Sequence, residues 1–224
     1  MAATYELYTL RLHSEPFINY SYLIVDTRTR EAAVIDPAWE LNPIRSLIAS
    51  KGAVLKSILL THSHHDHTNL VKPLVSLYGC DVHISRDEAA FYSFRCDRLT
   101  TFEDGQQIRI GDTAITCILT PGHSYGGACF AAEGSLFTGD TLYIEGCGIC
   151  TTAGGDPEAM FDSIQRIKTI VQPETRIYPG HSFGMPPGCT FDQLEERNIY
   201  YSIDKKEAFV SFRMRRTNTL FQFQ

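Results

Sequence analysis

Residues 61–68 read Thr61-His62-Ser63-His64-His65-Asp66-His67-Thr68. Four histidines and one aspartate fall within six positions, in a chain that has 8 histidines among 224 residues. Imidazole nitrogens beside a carboxylate are the donor mixture that suits zinc or a similar transition metal. The cluster follows directly on the apolar run Ser57-Ile58-Leu59-Leu60, so a β-strand delivers it to the edge of a sheet. Three further turns share the format: Leu119-Thr120-Pro121-Gly122-His123, Phe137-Thr138-Gly139-Asp140 and Tyr178-Pro179-Gly180-His181. In each, an apolar strand fixes a position, a glycine permits a sharp turn, and the next side chain points into a shared cleft.

The elements that carry these turns can be read from periodicity. Tyr5 to Leu12, Asn19 to Asp26 and Glu31 to Ile35 have the Tyr, Leu, Ile and Val content of strands, the third stopped by Pro37. Asn42-Pro43 opens a helix with Ile44, Leu47 and Ile48 on one face, ending near Gly52. Val54 to Leu60 is a buried strand, Asn69 to Tyr78 a helix closed by Gly79, Asp81 to Ile84 a strand, and Arg86 to Phe94 a helix. Gln107–Ile110 with Thr113–Leu119, and Ala128–Ala132 with Ser135–Thr138, form hairpins. Asp156-Pro157 starts a helix whose stripe is Met160, Phe161, Ile164, Ile167, Ile170 and Val171; Arg176 to Pro179 is the last strand. From Phe191 the chain reads as a helix and then a segment ending in the basic run Arg213-Met214-Arg215-Arg216.

Whole-chain properties narrow the function classes. The length suits one domain, 1–224, able to bury a large core. The net charge of −6 argues against a nucleic-acid partner, and no apolar run is long enough for a membrane span. Met1-Ala2-Ala3-Thr4-Tyr5-Glu6 lacks a basic start followed by an apolar stretch, so a cytoplasmic location is expected. The seven cysteines are odd in number and lack framework spacing, which fits reduced thiols. Cys147-Gly148-Ile149-Cys150 is a lone C-x-x-C and a weak redox signal.

The order H-x-H-x-D-H, G-H, G-D, G-H over residues 62–181 resembles the metallo-β-lactamase-fold hydrolases. The resemblance implies an α/β (α+β) fold: a four-layer αββα sandwich of two mixed sheets with helices outside, here with a short C-terminal helical appendage from about residue 190. It further implies that His62, His64 and His123 hold one metal, that Asp66, His67 and His181 hold a second, and that Asp140 bridges them. Zinc is the metal expected, with iron or manganese as alternatives. Two cations bring the pKa of a bridging water to near neutrality and polarise a carbonyl, while Asp66 and Asp140 orient the hydroxide. His65 falls outside this ligand set, and His13 and His83 are expected to be structural.

Within that family, Thr138-Gly139-Asp140-Thr141-Leu142 followed by Glu145-Gly146-Cys147-Gly148 resembles the glyoxalase II branch, which cleaves thioesters. Glutathione thioesterases carry a basic and an aromatic residue after G-C-G, where this chain has Ile149-Cys150-Thr151-Thr152. Leu12-His13-Ser14-Glu15-Pro16-Phe17-Ile18-Asn19-Tyr20 and the histidine cluster are most similar to the zinc-dependent hydrolases of bacterial polyketide clusters. That similarity implies hydrolysis of acyl thioesters on an acyl carrier protein, with Arg213, Arg215 and Arg216 as candidate partners for a phosphopantetheine phosphate or an acidic helix. Other branches compete. A glyoxalase II-type hydroxyacylglutathione hydrolase would share the whole ligand set. A persulfide dioxygenase would use one iron on His62, His123 and Asp140, although its Arg-Thr-Asp run after G-C-G is absent here. A lactonase or phosphodiesterase would use the same hydroxide.

Overall fold

A computed structural model describes residues 3–215. In chain order, β1 (Tyr5–Ser14), β2 (Phe17–Asp26) and β3 (Glu31–Ile35) lead to α1 (Leu41–Ser50) and β4 (Val54–Leu59). Next come α2 (His65–Thr68), α3 (Val71–Tyr78), β5 (Asp81–Ser85), α4 (Arg86–Phe91) and β6 (Leu99–Phe102). The second half contains β7 (Gln107–Ile110), β8 (Thr113–Leu119), β9 (Ala128–Ala132), β10 (Ser135–Gly139), α5 (Pro157–Ile170) and β11 (Arg176–Pro179). The helices α6 (Phe191–Arg197), α7 (Ile199–Ser202) and α8 (Lys206–Arg213) complete the described chain.

Two sheets form among the described residues, with strand orders β1-β2-β3-β4-β5-β6 and β11-β10-β9-β8-β7. β3 to β6 run parallel, β7 to β10 antiparallel, and β11 joins β10 in parallel, so both sheets are mixed. Strand alternation sorts side chains into three apolar layers. Leu23, Val25, Ala32 and Val34 face outward onto Ile44 and Ile48 of α1 and Leu74 of α3. Their neighbours Tyr22, Ile24, Ala33 and Ile35 face inward onto Ile115, Phe130 and Phe137 of the second sheet. The far side of that sheet, with Cys129, Leu136 and Ile177, packs on Met160 and Ile164 of α5, Leu194 of α6 and Phe209 of α8. This is the expected αββα sandwich. A period of 2 in the strands and 3.6 in the helices suffices to build it.

Local chemistry fixes the element ends. Asp156 accepts hydrogen bonds from the Glu158 and Ala159 amides and so caps α5, with Pro157 in the first turn. Several boundaries differ from the sequence reading. The helix expected from Asn69 begins at Val71, because the histidine cluster has its own helical turn, α2. The helix from Arg86 stops at Phe91, with Ser93 at φ +53°. β6 had no sequence signal, since Leu99-Thr100-Thr101-Phe102 is four residues with two polar ones in the middle. Among the described residues, the tail from Phe191 forms three helices on the α5 side rather than one helix followed by a further segment.

The sheets are stitched together at one end. The Tyr20 amide donates to Gly180 O at 2.8 Å, the Ala128 amide to Thr61 O at 2.8 Å, and the Tyr22 hydroxyl to Pro179 O at 2.6 Å. The segments leaving β4, β8, β10 and β11, which carry the four motifs, meet at this end, with the segment leaving β3 beside them.

Candidate metal centre

His62, His64 and His123 bring one ring nitrogen each to within 4.8 Å of one another, and Asp66, His67 and His181 converge in the same way. Asp140 lies between the groups. Its Oδ1 is 3.5 Å from His67 Nε2, and its Oδ2 is 3.5 Å from His123 Nε2 and 3.6 Å from His181 Nε2. All seven residues singled out by spacing therefore meet at one place. His65 does not: it is exposed, with its ring edge-on to Trp39. His13 pairs with Glu40 at 3.2 Å and His83 faces Ser57 at 3.4 Å, both away from the cluster.

The ring orientations follow from what lies behind each imidazole. A carbonyl oxygen can only accept, so His123 Nδ1 donates to Ile149 O at 2.7 Å and His181 Nδ1 to Ile18 O at 2.7 Å. His67 Nδ1 donates to Asp36 Oδ2 at 3.0 Å. Thr61 Oγ1 donates to the same carboxylate at 2.6 Å and is left to accept from His62 Nδ1 at 3.0 Å. Four rings thus donate through Nδ1 and turn Nε2 toward the centre, the orientation a metal ligand requires. Asn19 holds Asp66 by donating to its Oδ2 at 3.1 Å and its backbone oxygen at 2.8 Å, and is itself fixed by the Trp39 indole at 2.7 Å.

Asp36 and Asn19 were not among the candidate residues. Asp36 did have a signal: Ile35-Asp36-Pro37 is another apolar strand ending in an acid, with φ +47° at Asp36 in place of a glycine. Asn19, inside a strand, had none. Glu88 is a further buried acid of this kind; it accepts from the Ser63 amide and hydroxyl and the Gly126 amide, tying two site loops together.

The centre suits cations on its own evidence. His62 Nε2, His67 Nε2 and Asp140 Oδ1 are buried with no hydrogen-bond partner among the described residues. Each such atom costs about 1–3 kcal/mol unless something fills the space before it. His64 Nδ1 and His123 Nε2 face each other at 2.9 Å, a separation that needs a proton or a cation between two ring nitrogens. The packing leaves no room for more carbon: a Cβ at Gly180 would stand 2.6 Å from His67 Cε1 and 2.7 Å from Asp140 Oδ1. Electrostatics point the same way. Burial, then the neighbouring imidazoles, push His62 well below its ordinary value, so it stays neutral. Burial alone would also lower His67, but Asp140 and Asp36 outweigh it and raise it to about 10. Burial would raise Asp140 and Asp66; the surrounding histidines, with Asn19 for Asp66, hold both below the usual carboxylate range. A buried imidazole facing three carboxylates takes a proton where no cation is bound, so loading a metal here releases one.

Apolar side chains flank the site residues in sequence or through ring contacts. Phe17, Ile18, Phe91, Tyr125, Ile149 and Phe183 are exposed. Phe17 stacks with Trp39 at 6.0 Å and Phe91 with Tyr125 at 4.5 Å, while Phe183 lies on Tyr143, which is edge-on to His181. Ile149, where a glutathione enzyme has a basic residue nearby, is 49% exposed. Arg213 is not at the opening. Its Nε donates to Gly148 O at 2.9 Å and its Nη1 to the Tyr200 hydroxyl at 3.3 Å, so of the three candidate arginines this one is already engaged. Arg215 is exposed with its guanidinium 3.8 Å from the Phe212 ring centre, and Arg216 lies outside the described residues.

Comparison with known proteins agrees with the geometry. The family model described as the metallo-beta-lactamase superfamily matches residues 14–181, which takes in every motif above. The chain belongs to the metallo-β-lactamase superfamily. It is 47% identical to the probable polyketide biosynthesis zinc-dependent hydrolase PksB of Bacillus subtilis, over 100% of both chains. It is 34% identical to the hydroxyacylglutathione hydrolase of Alkalilimnicola ehrlichii, over 80% of this chain and 68% of that one. Among solved structures, ETHE1 from Myxococcus xanthus superposes with a TM-score of 0.82 at 25% identity, covering 92% of this chain and 89% of the other.

Proposed function

We propose that this protein is a binuclear zinc hydrolase that cleaves acyl thioesters, its substrates being acyl chains carried on the phosphopantetheine arm of a carrier protein in polyketide biosynthesis. The observation that carries the reading is the pair of converging donor groups with a buried, unsatisfied Asp140 between them. His62, His64 and His123 would hold one cation and Asp66, His67 and His181 the other, with Asp140 shared. When bound, the two cations supply Lewis acidity, activating water near neutral pH and polarising the carbonyl under attack.

The protein's own residues do the rest. Asp36, Thr61, Ile149 and Ile18 hold the imidazoles with Nε2 facing the centre, so the rings need not turn when a cation arrives. Asp66, fixed by Asn19, and Asp140 keep their negative charge to low pH and are placed to orient the attacking water. The aromatic rim excludes bulk water from the reacting carbonyl once an acyl chain covers it.

The substrate class rests on two supports. The relatives include a polyketide hydrolase along the full length and a hydrolase of a glutathione thioester over most of it. The rim at Ile149 is apolar, which favours a neutral pantetheine arm over glutathione with its two carboxylates. One matched panel tests this: the same acyl group presented on carrier protein, pantetheine, coenzyme A and glutathione. The carrier and pantetheine esters are expected to have the highest kcat/KM. Glutathione esters leading by orders of magnitude would overturn the assignment in favour of a hydroxyacylglutathione hydrolase.

A further inference from the structure

In the sequence Arg213 looks like part of a solvent-facing basic tail. In the structure it ends α8 and turns inward, half-buried, with its guanidinium 5.6 Å from the Tyr200 ring centre. Its hydrogen bonds among the described residues go to a carbonyl and a phenol, not to a carboxylate. The carbonyl is that of Gly148, whose only other donor among the described residues is the weak Cys150 thiol at 3.8 Å.

Gly148 and Ile149 are the point where the outer helices reach the metal centre. The Gly148 amide donates to Asp140 O at 2.9 Å, closing the turn after that aspartate. The next carbonyl, Ile149 O, accepts from His123 Nδ1 at 2.7 Å and so sets which nitrogen of His123 faces inward. On the inner side there is no slack. A Cβ on Gly148 would stand 2.2 Å from Asp140 O and 2.7 Å from His123 Nδ1. The inner side of this segment is therefore fixed by Asp140 and His123, and its outward side by Arg213.

We propose that Arg213 is a positioning residue for the metal centre: it holds, through Gly148, the peptide that orients His123 and closes the Asp140 turn. The proposal rests on the reading of His123 and Asp140 as metal ligands. A planar guanidinium suits the task because its donors are fixed in direction and stay charged at any working pH. α8 has other anchors that do not reach the centre, namely the fully buried Phe209 and the Lys206–Asp162 ion pair at 2.6 Å. Anchoring the helix and orienting the ligand can thus be separated.

The test measures zinc affinity by competition with a chromophoric chelator, alongside kcat and KM on a pantetheine thioester, for wild type, Arg213→Met, Arg213→Lys and Lys206→Ala. Arg213→Met is expected to bind zinc about tenfold more weakly and to lose kcat, with KM within about twofold. Arg213→Lys, which keeps one donor but not the fixed fork, is expected to fall between. Lys206→Ala is expected to match wild type in zinc affinity and kcat. Wild-type zinc affinity and kcat in Arg213→Met, whatever its melting temperature, would overturn the proposal. If that variant does not fold, Arg213→Lys decides: affinity equal to wild type contradicts the role and reduced affinity supports it. Wild-type protein that binds no zinc would instead be a failure of the proposed function.

Discussion

At the scale of single residues, the centre is built from side chains whose second contact fixes the first. His67 is the clearest case: fully buried, it has Asp36 behind Nδ1 and a bare Nε2 in front. Asp36→Ala would leave His67 Nδ1 and the Thr61 amide without their acceptor. Zinc affinity is expected to fall about 10–100-fold, as read by chelator competition; unchanged affinity would show that His67 does not need Asp36. The seven candidate donors were legible in the sequence because each sits next to a strand end or glycine, and short-range spacing carries that information. Asn19 was not legible, because its partner Asp66 is 47 positions away and only the folded register brings them together. The place of Arg213 was not legible for the same reason: its charge is obvious in the sequence, but the carbonyl that accepts its hydrogen bond is 65 positions distant.

At the scale of elements, β2 was read almost to the residue because both its faces are buried from Asn19 on, and β4 likewise although Val54 and Lys56 at its start are exposed. Edge elements with mixed polarity, such as β6, and short helices broken by side-chain caps, such as α6 and α7, carry weak periodic signals, and their placement is decided by tertiary contact. Asn198 illustrates the second case. Its side chain accepts from the Tyr200 and Tyr201 amides to start α7, and donates to Tyr143 O and Gly146 O beside the centre. The C-terminal helices are thus joined to the sandwich through the same loop that Arg213 grips. Phe209, wholly buried between Phe161 and Tyr200, is the main apolar anchor of α8. Phe209→Ala should cost about 3–5 kcal/mol in urea unfolding. An unchanged midpoint would mean that α8 contributes nothing to the cooperative fold.

At the scale of the whole molecule, the two sheets are joined at both ends. Opposite the metal centre, Asp26 at the end of β2 accepts from the amides of Thr29, Asp112 and Thr113 and from two threonine hydroxyls, linking the first sheet to the β7–β8 turn. Burial alone would raise its pKa; the bonds from Thr29, Thr113 and Asp112 outweigh that and hold it well below the usual carboxylate range. A depressed folded-state pKa gives stability that is present above the unfolded value, about 3.9, and is lost as pH falls toward the folded one. The stability gap between wild type and Asp26→Asn should therefore be widest near neutral pH and shrink below pH ~4. Metal loss in acid acts on both proteins and cancels in the difference. A gap that stays constant down to pH ~3 would contradict the linkage.

With the sheets fixed at that far end, the near end is free to gather five strand ends around one buried aspartate. The most direct measurement of whether Asp140 is shared between two cations is elemental analysis of the purified protein. About two zinc ions per chain are expected. A single metal ion per chain, and above all a single iron, would contradict that sharing.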